Sequence, residues 1–224
     1  MVGSKRQIER TSETKESVKG LSLSSSNRIT PPVYSSDVPE STHLKRGESK
    51  FSIKFDGAKT QPFTSDEPIP TGVNNFGFEC WVKWGGFKEL PEAAKTADKW
   101  YHTLFCNGNQ ADGFEFSINK MNPYWNFYYG NVTSGFDVPN NNQIPQEGVW
   151  THIALVCNAG MTTLFINGVD VNHKKVKPLE PSERFVLGAI NIGSYGFNGL
   201  MDEVRFFTFE PGKFDHETDL NYKK

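Results

Sequence analysis

The sequence predicts an all-β fold, two antiparallel sheets packed as a sandwich, preceded by a flexible N-terminal arm. Three observations carry this. From Phe51 onward, short apolar or β-branched runs recur, separated by Gly, Asn, Asp and Pro. The stretch Trp150 to Asp170, WTHIALVCNAGMTTLFINGVD, contains two tight-turn signals: Asn158-Ala159-Gly160, and Asn167-Gly168, which suits a two-residue type I′ turn. No long segment shows the 3.6-residue apolar period of a helix.

The elements follow in order. Residues 1–50 hold fifteen Ser or Thr, nine Lys or Arg against six Asp or Glu, and a single aromatic residue, Tyr34. Such a segment buries too little apolar surface to offset its ordering entropy, and it reads as a disordered or extended arm. Phe51-Ser52-Ile53-Lys54-Phe55 alternates strictly, and Asp56-Gly57 turns the chain. Between Phe76 and Trp84 the even positions (Phe76, Phe78, Cys80, Val82, Trp84) form a core face, leaving Glu79, Trp81 and Lys83 on the other. Residues 87–99 read as a polar insertion. Strands are expected at 100–106, 114–119 and 124–129, then a long Asn-, Gly- and Pro-rich loop at 131–148. A meander at about 151–157, 161–166 and 169–176 follows, then strands at 185–190 and 200–207. In the last strand Leu200, Val204 and Phe206 are expected to share a face with Asp202. The sandwich is placed at 51–210 and a short C-terminal tail at 211–224.

The totals set bounds. Apolar content is 36%, so part of the chain is expected not to pack, while 18 Phe leave aromatic rings to supply much of the core. A net charge of −2 argues against a general nucleic-acid binder. No run reaches the roughly 18–20 apolar residues of a membrane span. The N-terminus, MVGSKRQIER, lacks the apolar core of a secretory signal. These points predict an intracellular or virion-associated protein. Cys80, Cys106 and Cys157 lie in or beside strands, and their odd number points to free thiols.

Five segments in order, FSIKFDG (51–57), FGFECWVK (76–83), WTHIALV (150–156), LFINGVDV (164–171) and GLMDEVRFF (199–207), together resemble a laminin-G-like domain. More broadly they resemble the concanavalin A-like lectin/glucanase jelly roll. The resemblance spans about residues 51–208. It implies two curved antiparallel sheets of six or seven strands each. It also implies a protein that binds sugars or other proteins, with some relatives acting on polysaccharides. Fold alone does not choose among these.

The catalytic branch is testable in the sequence. Retaining glucanases of this fold carry Glu-x-Asp-x-x-Glu on one strand, so that two carboxylates face each other. No such motif is present; Asp202 and Glu203 are adjacent and expected to point to opposite faces. The Gln-x-His of the lyase relatives and the His-x-Asn of galectins are also missing. The chain is therefore read as no enzyme, and His152 as a structural hydrogen-bonding residue. The resemblance further implies one structural calcium ion, held by Asp202 with oxygens from Asp56 and Gly57. An inward carboxylate needs a proton, a partner or a metal.

The strand Tyr124-Trp125-Asn126-Phe127-Tyr128-Tyr129 carries large aromatics at both parities. One parity packs inward and the other is free to face a ligand. Rings beside amides suit a sugar, so Trp81, Tyr124, Trp125, Asn126 and Tyr128 form the candidate binding set. The expected function is non-catalytic, lectin-like carbohydrate binding. The alternative is a structural protein of a viral particle or large complex, with sandwich and arm contacting other proteins. The partner is thus a glycan or a protein, not nucleic acid.

Overall fold

The computed structural model describes residues 16–18, 21–25, 32–57, 62–69, 75–87, 101–108, 112–119, 124–129, 131–137, 145–176, 180–190 and 195–224. For residues 16–18, 21–25, 124, 129 and 131–137 only the backbone is described. The strands are β1 (Glu16–Val18), β2 (Leu21–Ser25), β3 (Val33–Ser35), β4 (Ser52–Asp56), β5 (Phe63–Ser65), β6 (Asn75–Trp84), β7 (Tyr101–Gly108) and β8 (Gly113–Asn119). They continue as β9 (Tyr124–Tyr129), β10 (Asn131–Asp137), β11 (Trp150–Asn158), β12 (Met161–Ile166), β13 (Val169–Lys175), β14 (Phe185–Leu187) and β15 (Asn198–Thr208). A 3-10 turn at Ser41–His43 and a four-residue helix, α1 (His216–Asp219), complete the described elements.

The fold is the predicted two-sheet sandwich. One sheet has the order β1-β2-β5-β14-β7-β8-β9-β10, the other β13-β12-β11-β6-β15-β4-β3. The central meander β11–β12–β13 pairs antiparallel, as the turn signals require. Asn167 and Gly168 have φ of 48° and 73°, both positive as a type I′ turn demands. Strand alternation builds the core between the sheets. Phe76, Phe78, Cys80, Val82 and Trp84 of β6 meet Phe114, Phe116 and Ile118 of β8, with Trp125 and Phe127 of β9. Aromatic rings therefore fill the interior: Trp125 stacks on Phe116 at 5.7 Å, and Phe105 on Phe116 at the same separation. All three cysteines are free and buried. No helix among the described residues is long and apolar enough to cross a membrane.

Several expectations need correction. Residues 131–137, expected within a loop, form β10 and pair with β9. The arm expected at 1–50 is not wholly outside the sandwich. Val33–Ser35 pairs with β4, and Leu44 is fully buried. The tail at 211–224 is also packed: Leu220 and Asn221 are buried. Neither segment has a periodic apolar pattern, because each docks through a few anchor residues. In β15 the parity is broken by a β-bulge. Asp202 pairs with Trp81, and Arg205 pairs with Glu79, so three steps on β15 match two on β6. Glu203 takes a φ of 50° at the bulge. Met201 and Val204 face the inter-sheet core, while Asp202 and Arg205 share the opposite face with Trp81 and Glu79.

Candidate functional site

The outer face of the eight-stranded sheet gathers polar and aromatic side chains. In β8, Phe114, Phe116 and Ile118 point inward, so Glu115, Ser117 and Asn119 point outward. Cross-strand register aligns rows on this face: Cys106, Glu115 and Tyr128; Thr103, Ser117 and Asn126; Tyr101, Asn119 and Tyr124. Thr103 donates its hydroxyl to Glu115 Oε1 at 2.9 Å, and Ser117 Oγ reaches Asn126 Oδ1 at 3.4 Å. The floor is shielded, with Glu115 and Asn126 both buried. Around it stand half-exposed tyrosines. The Tyr101 and Tyr128 hydroxyls lie 3.3 Å apart, and the Tyr101 ring meets Tyr195 edge-on at 5.5 Å. The Tyr195 carbonyl accepts the Thr103 amide at 2.7 Å, and Tyr195 has a φ of 54°. A bulky residue rarely adopts that left-handed conformation without a reason.

The predicted binding residues separate. Asn126 and Tyr128 lie on this face, as their parity allows, and Tyr124 joins their register; its side chain lies outside the described residues. Trp125 is core, stacked on Phe116. Trp81 belongs to the other sheet and points away from this face. It lies beneath Tyr222 at 5.8 Å and donates its Nε1 proton to the Asn221 carbonyl at 3.1 Å. The sequence reading missed Tyr101, Thr103, Glu115, Ser117, Asn119 and Tyr195. The polar alternation of GFEFSIN (113–119) was the available signal for three of them. Tyr195 follows no strand period.

The outer face of the seven-stranded sheet holds a buried charge cluster instead. Glu79 Oε1 accepts the Arg205 Nε proton at 2.5 Å, and Glu79 Oε2 lies 3.1 Å from His152 Nε2. Oε2 also accepts the Asn221 amide at 2.9 Å. Burial pushes the Glu79 carboxyl up. The hydrogen bond and attraction of His152, then Arg205 and the Asn221 amide, outweigh burial and hold it below the ordinary glutamate value. His152 therefore bonds structurally, but to a residue 73 positions away rather than locally. Burial, with Glu79 next to it, pushes the Cys80 thiol well above its ordinary value, which leaves it inert as a nucleophile.

The residues expected to hold calcium do not fit a common cage. Asp56 pairs with Asn198 on β15, four residues before Asp202, a separation of roughly 13 Å at strand spacing. Asp202 Oδ1 accepts the Glu203 amide at 2.9 Å, capping the bulge, and the Gly57 amide donates to the Phe197 carbonyl at 2.8 Å. Among the described residues no group of three or more His, Cys, Asp or Glu is placed to hold a metal ion.

Comparison with known proteins agrees with this architecture. No curated protein matches the sequence. Among solved structures, domain 4 of the extracellular arabinanase AbnA from Geobacillus stearothermophilus, in complex with arabinotriose, superposes with a TM-score of 0.52. It is 21% identical, and the match covers 88% of this chain and 87% of that one. The binding domain of Paraclostridial Mosquitocidal Protein 1 also superposes at 0.52, with 12% identity; the match covers 91% of this chain and 47% of that one. At these identities the likeness shows the fold. The family pattern of the concanavalin A-like lectin/glucanases superfamily, in its laminin G form, matches residues 55–210. With most of the sandwich inside that match, the chain belongs to the concanavalin A-like lectin/glucanases superfamily.

Proposed function

We propose that this chain is a non-catalytic, lectin-like module that binds a carbohydrate on the outer face of its eight-stranded sheet. The observation that carries the reading is the grouping of Tyr101, Tyr128 and Tyr195 around a floor of Glu115, Ser117, Asn119 and Asn126. Tyrosine offers an apolar ring and a polar hydroxyl on one rigid side chain. Such rings pack on the C–H faces of a sugar while amide, hydroxyl and carboxylate groups fix its hydroxyls. The left-handed Tyr195 backbone holds one ring in place beside Thr103. That a domain of this fold binds arabinotriose makes oligosaccharides the ligand class to screen first. The test is a glycan array probed with the full chain, repeated with the half-exposed rim residue replaced, Tyr128→Ala. Binding lost in the variant supports the reading; no binding to any glycan removes it.

The rival reading, a structural protein of a larger assembly, draws support from the edge strand β3. Its Val33 and Tyr34 are 44% and 45% exposed on the last strand of the seven-stranded sheet. An edge strand that exposes apolar side chains is a site for pairing with another chain. Analytical ultracentrifugation of the full chain and of Tyr34→Lys tests it: a larger species lost in the variant favours assembly.

A further inference from the structure

We propose that the outer face of the seven-stranded sheet is a peptide-binding site, filled in cis by the chain's own C-terminal segment. Its ligand is a peptide in which Leu-Asn-Tyr follows a short acidic stretch, as Asp215, Glu217 and Asp219 precede Leu220 here. The segment 213–224 contributes no strand to either sheet. It leaves β15 through a Pro211-Gly212 turn, closed by Lys213 N–H to Glu210 O at 3.0 Å, where Gly212 has open space around it. It then lies across β6, β11 and β15 as a docked peptide would.

Asn221 is the recognition residue, because all four of its polar groups are used. Its amide donates to Glu79, and its carbonyl accepts from Trp81 Nε1. Its side-chain Oδ1 accepts the Arg46 amide at 3.1 Å, and Nδ2 donates to Glu203 Oε2 at 3.2 Å. A side-chain amide supplies both the acceptor and the donor that these two bonds require. Leu220 is buried in a small apolar cluster with Ala154, Val156, Phe165 and Phe207, against which Phe214 packs. Tyr222 stacks on Trp81 and His152, and His43 stacks at 6.3 Å on both Trp81 and Tyr222. Charge is matched as well. Burial pushes the Lys45 ammonium below its ordinary value, opposed by the attraction of Asp215, Glu79, Glu217 and Asp219, and Arg46 Nη2 donates to the Asp219 carbonyl at 3.4 Å. Arg205 Nη2 donates to the same carbonyl at 2.5 Å. Apolar anchors, one fully satisfied polar residue and opposed charge are the elements of peptide recognition rather than of strand packing.

The test uses the full chain and a fluorescein-labelled peptide of residues 213–224. A chain carrying Asn221→Ala and Tyr222→Ala has a weakened tether and is expected to bind the peptide saturably in fluorescence anisotropy. The wild type is expected to bind it at least about tenfold more weakly, since its own segment competes at millimolar effective concentration. The peptide carrying Asn221→Ala should not bind. Absence of saturable binding to the folded double variant, or equal binding of the Asn221→Ala peptide, overturns the proposal. If the double variant does not fold, amide exchange of the wild type decides. The Asn221 amide, and the Lys223 amide that donates to the His43 carbonyl at 2.9 Å, should exchange through an opening that leaves β6 and β11 protected. Exchange of these amides only together with β6 and β11 makes the segment an integral part of the core and overturns the proposal.

Discussion

Glu79 on β6 and Arg205 on β15 are direct cross-strand partners, and the Arg205 Nε–H meets Glu79 Oε1 at 2.5 Å with both side chains buried. Removing one partner leaves an uncompensated charge in a dry site. Arg205→Ala is therefore expected to lower stability by roughly 3–5 kcal/mol. The double replacement Glu79→Met and Arg205→Met, which removes both charges, is expected to lose less. Urea unfolding monitored by tryptophan fluorescence measures both; equal losses would contradict the pairing.

The same carboxylate makes stability depend on acid. Its folded-state value lies below the ordinary glutamate value of 4.5, so its contribution is complete above that value and is lost as pH falls through the folded value. Thermal melts of the wild type are expected to fall below about pH 4.5, and those of Glu79→Gln to fall less steeply over the same interval. Parallel curves would remove Glu79 from the acid response.

Trp81 was a binding candidate in the sequence, and the fold makes it a structural residue. Trp81→Ala is expected to cost roughly 3–5 kcal/mol through the cavity and the lost stack with Tyr222. It should leave affinity for any glycan held on the other sheet unchanged in the folded fraction. Denaturant midpoints and glycan titration of the same preparation separate the two effects.

The two hairpins of the meander respond differently to substitution. Ala159 has a φ of 49°, a left-handed conformation that penalises any residue with a Cβ, so Ala159→Gly is expected to stabilise by about 0.5–1 kcal/mol. Asn167 has a φ of 48° and its Oδ1 accepts the His152 amide at 2.9 Å. Asn167→Ala is expected to destabilise by about 1–2 kcal/mol, because it loses both the tolerated backbone conformation and the hydrogen bond. Melting temperatures of the two variants should move in opposite directions.

The sandwich was legible wherever apolar residues alternate. The β6 core face and the Asn167-Gly168 turn follow from local pattern alone. The parity of β15 was not legible, because the bulge at Glu203 depends on pairing with β6 and turns Asp202 away from the inter-sheet core. At 124–129 both parities are aromatic, and only pairing with β8 decides that Trp125 packs inward while Asn126 and Tyr128 face outward. Glu79, Arg205 and Asn221 come together from three distant segments, 126 and 142 positions apart from Glu79, so no spacing rule reveals them. Tyr101 and Tyr195 meet for the same reason.

The central claim is that the tyrosine-rimmed face of the eight-stranded sheet holds a carbohydrate. The most direct measurement is calorimetric titration of the strongest glycan-array ligand into the wild type, Tyr101→Ala, Tyr128→Ala and, as a control on the opposite sheet, Tyr34→Ala. The account predicts at least about tenfold weaker binding for the first two variants, equivalent to about 1.4 kcal/mol each, and unchanged binding for the control. Unchanged affinity in both Tyr101→Ala and Tyr128→Ala would contradict it.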